Sequence, residues 1–127
     1  MTRPREASRT SQRWPKAYRL RKRREYLSVQ RQGRRFQTRD LVVVWMVSPA
    51  GQSRLGITVS RKVAKQACRR NRVKRWIREV ARRLSMERAA PALDIVVIAR
   101  PRAVGASYQD LRQQLERFWQ SVALSGA

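Results

Sequence analysis

The ten residues 69–78 constrain the fold of this chain more than any other stretch. Six of the ten are Arg or Lys, yet an apolar residue recurs every three or four positions from here onward. The apolar stripe consists of Val73, Ile77, Val80, Ala81 and Leu84. The opposite stripe consists of Asn71, Arg75, Arg78 and Arg82. This spacing predicts a helix with one face that packs against a core and another that meets a polyanion.

The charge of the whole chain supports the same interpretation. Its 127 residues carry a formal net charge of +23. Fourteen basic residues against two acidic ones occupy residues 1–39, and twelve against two occupy residues 61–88, while residues 40–60 are neutral. Two basic segments flanking a neutral one indicate a localised basic surface. Nucleic acid is the commonest partner of such a surface, and an anionic membrane is the main alternative.

The residues that the chain lacks exclude several classes of function. There is no His, and the eight acidic residues form neither a DxD nor an ExxE pair, so we predict no catalytic residue and no metal site in the protein. The single Cys68 cannot form an internal disulfide and is predicted to be a small, partly buried residue. No apolar run approaches the roughly 20 residues of a membrane span, and the expected location is the cytoplasm.

The composition predicts one domain with a loose start. Hydrophobic residues make up 42% of the chain, which is enough for a core. Residues 1–13 contain several Arg but almost no apolar residue, so we predict a disordered basic tail there. An acid-poor transit peptide is the alternative. The folded domain is predicted to cover residues 14–122, and residues 123–127 are expected to fray.

The remaining elements predict one sheet with helices packed on it. Helices are expected at residues 20–32, from within 63–69 to about 88, and after the N-cap Ser107; strands are expected at 34–38, 41–47, 54–60 and 94–99. The turn residues 48–51 suggest that the second and third strands form an antiparallel hairpin. One face of the third strand carries only Gly56, Thr58 and Ser60, which leaves room for something to lie on it. The order predicts an α+β sandwich.

The basic helix supplies donors for a nucleic-acid backbone. Its Arg side chains suit phosphates, and Asn71 offers an amide to a base edge or a 2′-hydroxyl. The alternative is a solvated charged face, but twelve cations against two anions leave too few partners for ion pairs between successive turns. Glu79 is expected to form such a pair within the helix, and Trp76 is expected to face the core rather than to stack on a base.

These patterns resemble a known family. Residues 70–79 read Arg-Asn-Arg, a hydrophobic residue, Lys-Arg, two further residues, Arg and Glu, which is similar to the signature of the bacterial ribonuclease P protein family. Three other family landmarks occur in the family's order along the chain. They are the first helix at 20–33, a strand and turn at 54–62, and a strand at 94–100. The resemblance covers about residues 19–120. It implies the order α-β-β-β-α-β-α around a four-stranded sheet, with a left-handed crossover that breaks the usual rule.

The resemblance also implies an activity. Family members form a ribonucleoprotein endonuclease with a large catalytic RNA and remove the 5′ leader of precursor tRNA. The implied Mg²⁺ is held by the RNA and the substrate, not by the protein. One protein per RNA is expected, with no DNA and no membrane partner.

Two groups of site residues follow from the resemblance. The catalytic RNA is expected to contact Arg61, Lys62, Arg70, Asn71, Arg72, Lys74, Arg75 and Arg78. The cleft for the single-stranded leader is expected to include Tyr26, Gln30, Val44 and Thr58. Gln30 and Val44 stand where relatives often carry aromatic residues, so base stacking would depend mainly on Tyr26. The alternative for Tyr26 is an ordinary core aromatic.

Three other readings stay open at this point. A structural RNA-binding protein, such as a ribosomal protein, shares the charge but needs no leader cleft. A DNA-binding regulator would need a helix-turn-helix or a ribbon reader, and neither is apparent. Membrane association would need the apolar stripes of the helices, but these are expected to pack against the sheet.

Overall fold

The computed structural model describes residues 19–20, 22–49, 53–87 and 92–125 and has the predicted α+β architecture. Its elements are α1 (Arg23–Gln32), β1 (Arg34–Gln37), β2 (Leu41–Val47), β3 (Arg54–Thr58), α2 (Ala67–Glu87), β4 (Leu93–Ala99), a 3₁₀ turn (Pro101–Gly105) and α3 (Tyr108–Ser125). The predicted tail at 1–13 lies outside the described residues. The frayed end at 123–127 stays a prediction, although the helix backbone is described to Ser125.

The four strands form one mixed sheet in the order β1-β2-β4-β3. The predicted hairpin of β2 and β3 is wrong, because β4 lies between them, antiparallel to β2 and parallel to β3. The physical reason is burial: β2 and β4 are the two longest strands and consist almost entirely of apolar residues, and such strands belong in the centre of a sheet covered on both faces. Helix α2 therefore connects two parallel neighbours. The left-handed turn of this connection stays a prediction.

Helices α2 and α3 cover one face of the sheet and form the main core with it. The apolar stripe of α2 is buried there as predicted. Phe118 of α3 lies at the centre, with its ring edge-to-face to Phe36, Trp45 and Trp119 at centroid distances of 5.8, 6.2 and 5.0 Å. This core fixes the orientation of α2 and therefore the direction of its basic face.

Helix α1 covers the other face with a smaller cluster, made of Leu20, Val29, Val44 and Val96. The helix begins at Arg23 instead of residue 20. Its first turn is closed by Glu25, whose carboxylate accepts a hydrogen bond of 3.0 Å from the backbone N–H of Lys22. Gly33 ends it, because a Cβ there would lie 2.8 Å from the carbonyl oxygen of Trp45.

Several local predictions can be compared with the structure. The cap of α3 is confirmed, since Ser107 and Asp110 exchange backbone-to-side-chain hydrogen bonds of 3.0 Å each. The bond from the backbone N–H of Ser107 to the Asp110 carboxylate lowers the pKa of Asp110. The ion pair of Glu79 with Arg83 is also confirmed, at 2.9 Å. The predicted partial burial of Cys68 is wrong: it is exposed, as are its neighbours Ala67 and Arg69 in the first turn of α2.

Candidate nucleic-acid interface

Helix α2 presents the predicted basic face. Asn71, Arg72 and Arg75 are exposed, while Lys74 and Arg78 are half-buried. On the opposite stripe Val73 and Ile77 are at most 1% exposed. The face is therefore held by a rigid, packed helix, and its donors project from fixed positions along one side.

The loop before α2 is organised by one member of the sequence motif. The Arg70 guanidinium donates hydrogen bonds to the carbonyl oxygens of Ala64, at 2.9 Å, and Lys65, at 2.7 Å. The backbone N–H of Lys62 donates to the Ser60 hydroxyl at 3.2 Å. Arg70 thus shapes the loop as well as adding charge, a role that the sequence alone did not suggest.

An open cleft of about 660 Å³ lies between this loop and the start of α2. Its lining is almost entirely basic and consists of Arg61, Lys62, Lys65, Ala67 and Arg70. The first turn of α2 carries no acidic residue, so the positive end of the helix dipole adds to the side-chain charges. Lys65 belongs to this surface although it was not among the predicted contacts.

Trp76 packs against the main core, as predicted, and also orders the basic face. Its ring meets that of Tyr108 edge-to-face at 6.1 Å. The guanidinium of Arg72, one turn earlier, lies 5.2 Å from the centre of the Trp76 ring. This cation–π contact restricts the long Arg72 side chain before any ligand binds.

On the α1 side, the strand register arranges the sheet in rows. Val44, Val96 and Gly56 form the middle row, and α1 crosses directly above it. Val42, Ile98 and Thr58 form the next row, and all three are only partly buried. We call this second row the open row. The open row is thus a partly uncovered strip of the sheet beside α1.

Tyr26 closes the edge of the middle row. Its ring lies on Gly56, where a Cβ would be 2.7 Å from two ring carbons. Its hydroxyl accepts a hydrogen bond from the backbone of Ile57, but burial outweighs that effect and raises the pKa of Tyr26 above 10.0. The face of β3 that carries small residues is thus covered by the Tyr26 side chain. Tyr26 therefore packs against the sheet and also lies beside the open row.

The other predicted cleft residues have different positions. Thr58 belongs to the open row, and Gln30 lies half-buried one turn after Tyr26 on α1. Val44 does not belong to the cleft surface: its exposure is 0%, because α1 covers it together with Val29. This prediction is corrected, and Val42 and Ile98 provide the apolar surface instead.

An ion-pair network joins α1 to the sheet at the far side of the middle row. Arg54 donates to both carboxylate oxygens of Asp94, at 2.8 and 2.6 Å, and to Glu25 at 3.0 Å. Asp94 raises the pKa of Arg54, so the guanidinium stays charged. Sequence reasoning missed this network because the three residues lie on three different elements.

The family model described as Ribonuclease P matches residues 14–123 of this sequence. The chain belongs to the ribonuclease P protein family. A ribonuclease P protein component of Picosynechococcus is 36% identical over 103 residues, which is 81% of this chain and 88% of the relative. One of Desulforapulum autotrophicum is 35% identical over 112 residues, with 88% and 94% covered.

Solved structures of the ribonuclease P protein family have the same fold. The protein from Thermotoga maritima matches with a TM-score of 0.72 and 34% identity, covering 82% of this chain and 96% of its own. The protein from Staphylococcus aureus matches with a TM-score of 0.72 and 33% identity, covering 80% and 92%. The expected family and its α+β fold with a four-stranded sheet are therefore confirmed.

The described residues of this ribonuclease P family member do not fit a Mg²⁺ site. No three His, Cys, Asp or Glu side chains gather within the described ranges. Asp94 and Glu25 are bound to Arg54, and Asp40 is bound to Arg39 and Gln114. In the described part of the chain, no helix is long and apolar enough to cross a bilayer.

Proposed function

We propose that this chain is the protein component of a ribonuclease P and assists removal of the 5′ leader from precursor tRNA. The observation that carries the proposal is the pairing of two different surfaces within one family fold. One is the rigid basic face of α2 with its loop, and the other is the open row beside Tyr26 on the far side of the sheet.

In this proposal the two surfaces divide the work. The basic face and loop bind the catalytic RNA. Its phosphates are neutralised by Arg61, Lys62, Arg70, Arg72, Lys74, Arg75 and Arg78, and Asn71 adds an amide for hydrogen bonds. The open row holds the single-stranded leader, with Tyr26 offering a ring edge to a base. Holding the leader positions the scissile phosphate of the substrate. The RNA and the substrate carry the Mg²⁺, in a particle with one protein per RNA that acts in the cytoplasm.

The test is reconstitution with a bacterial ribonuclease P RNA. At low Mg²⁺, adding the protein should raise the rate of precursor tRNA cleavage above that of the RNA alone, since the protein replaces part of the cation's charge compensation. Heat-denatured protein is the control for nonspecific effects of added polycation. Equal rates with and without the folded protein would reject the proposal.

A second measurement separates this function from that of a structural RNA-binding protein. The assembled particle should bind precursor tRNA more tightly than mature tRNA, because only the precursor has a strand for the open row. A structural protein would raise the affinity for both equally. Equal affinities would favour the structural alternative.

A further inference from the structure

The open row continues onto β1, the edge strand of the sheet. Gln37 of β1 pairs with Val42, and residues directly opposite one another in a sheet point to the same face. Gln37 is exposed. The row that crosses all four strands therefore consists of Thr58, Ile98, Val42 and Gln37. Because neighbouring strands lie about 4.8 Å apart, this row is about 14 Å long and ends at the β1 edge.

Arg35 stands beside this end of the open row. It pairs with Val44, whose side chain lies on the α1 side of the sheet, so the Arg35 side chain leaves β1 on the same face as that of Gln37. The two residues are about 7 Å apart along the strand, a distance that the long Arg side chain can span. Arg35 is exposed, and no acidic side chain within the described ranges forms an ion pair with it.

The outer edge of β1 offers further hydrogen-bond donors. The backbone N–H of Thr38 donates to the carbonyl oxygen of Leu41, its partner on β2, at 2.8 Å. Hydrogen-bonded and non-hydrogen-bonded pairs alternate along an antiparallel ladder, so the backbone N–H groups of Arg35 and Gln37 point away from β2. A strand that leaves the open row here meets a cation and outward-pointing N–H groups, a combination that suits phosphate oxygens.

The opposite end of the open row lies next to the surface for the catalytic RNA. Thr58 is the last residue of β3, and the basic loop before α2 follows after two residues. In the proposed function, the scissile phosphate is therefore nearer β3 and the distal part of the leader is nearer β1. Helix α1 runs alongside in the same direction, since its Tyr26 contacts Gly56 of β3 and its end at Gly33 lies beside Val44 of β2.

We propose that the leader crosses the open row from β3 to β1 and that Arg35 binds a phosphodiester group of its distal part. The inference rests on the proposed function and deepens it. A guanidinium suits this contact because it stays charged and offers two parallel N–H donors to phosphate oxygens. The contact lies beyond the apolar residues Val42 and Ile98, so only a leader long enough to cross the row can make it.

The first experiment varies the length of the leader in particles reconstituted with ribonuclease P RNA. The precursor tRNAs carry leaders of one to about twelve nucleotides, within the site sizes of small folds that bind single strands. With the unaltered protein, the affinity should rise with leader length and level off once the leader has passed β1. Arg35→Gln should leave binding of the shortest leaders unchanged and weaken binding of the longest by about tenfold, since a charged hydrogen bond is lost.

Arg34→Gln is the matched control, because it removes the same charge from the neighbouring position of the same strand. Arg34 points to the other face of the sheet, where its guanidinium lies 5.5 Å from the centre of the Trp45 ring. This variant should bind short and long leaders as the unaltered protein does. Both Arg side chains are exposed, so circular dichroism should show that both variants are folded.

The second experiment places single methylphosphonate linkages along a long leader. With the unaltered protein, one distal linkage should weaken binding by about tenfold, and in the Arg35→Gln particle the same linkage should have no further effect. The inference is overturned if Arg35→Gln has no effect or the same effect at every leader length, if Arg34→Gln matches it, or if no linkage depends on Arg35. Failure of the proposed function would show earlier, as equal affinity of the unaltered particle for precursor and mature tRNA.

Discussion

At the scale of single residues, the contact of Gly56 with Tyr26 shapes the surface beside the open row. A Cβ at residue 56 would lie 2.7 Å from two carbons of the Tyr26 ring, closer than any ordinary contact. A larger residue therefore has to displace the ring. The absence of a side chain at Gly56 is what allows the Tyr26 ring of α1 to approach β3 so closely.

Gly56→Ala should accordingly reduce stability and leader binding together. We expect a loss of about 1–3 kcal/mol in the free energy of unfolding, the usual cost of overpacking. Urea unfolding followed by circular dichroism measures it. Gly105→Ala is the control, since a Cβ there meets nothing within 4 Å. Equal stability of both variants would show that the Tyr26 ring can move without cost.

The burial of Tyr26 predicts a pH effect. Because burial raises its folded-state pKa above 10.0, the fold favours the neutral phenol. That contribution is complete below pH 10.0 and is lost as the pH rises from there through the folded-state pKa. The absorbance titration of phenolate, minus that of Tyr26→Phe, should give a midpoint above 10.0. A midpoint at or below 10.0 would contradict the burial.

At the scale of elements, Arg54 joins the first helix to the sheet. Its guanidinium spans Asp94 on β4 and Glu25 on α1, and the Asp94 side chain is only 3% exposed. The network fixes how far α1 stands above the sheet, and so the height of the wall beside the open row.

Arg54→Ala should destabilise the protein strongly, because it leaves the carboxylate of Asp94 buried without its cation. We expect a loss of about 3 kcal/mol, at the lower end for a broken buried pair. Denaturant unfolding measures it. Arg83→Ala, which breaks an exposed pair on α2, should change the stability by less than about 1 kcal/mol. Similar losses in the two variants would argue against the buried network.

A further prediction concerns the basic face of α2. Arg75→Ala should weaken binding of the catalytic RNA and reduce the slope of log affinity against log salt by about one, because one phosphate contact is lost. The control is Arg117→Ala, an exposed Arg on α3 that removes the same charge. If both variants changed the slope equally, the effect would reflect net charge and not this face.

At the scale of the whole molecule, two binding surfaces share one small sheet without overlapping. The open row lies beside α1, whereas the exposed basic side chains belong to α2, which packs on the other face. In the proposed function, the sheet therefore holds the two RNA-binding surfaces at a fixed separation.

This separation predicts that changes on the two surfaces act independently. In a double variant with Gly56→Ala and Arg75→Ala, the fold-losses in precursor binding should multiply to within about twofold, as distant sites do. Affinities of the two single variants and the double variant, measured at one salt concentration, complete the cycle. A larger deviation would mean that the surfaces are coupled through the sheet.

Much of the fold could be predicted, because its elements have local signals. The capping box of α3 was found from Ser107 and Asp110 alone, and the strands from their apolar runs. The prediction of a β2–β3 hairpin failed because the order of strands in a sheet has no local signal. Turn residues indicate that the chain reverses direction. They do not indicate that β4, which is distant in sequence, lies between β2 and β3.

The sequence by itself determined the basic amphipathic helix α2, because a helical period and a run of charges are properties of neighbouring residues. Only the tertiary structure decided the surface formed by the open row and Tyr26. The burial of Val44, the contact of Tyr26 with Gly56 and the Arg54 network all join residues distant in the chain. Such contacts leave no periodic trace in a single sequence, since packing of the whole sheet selects them.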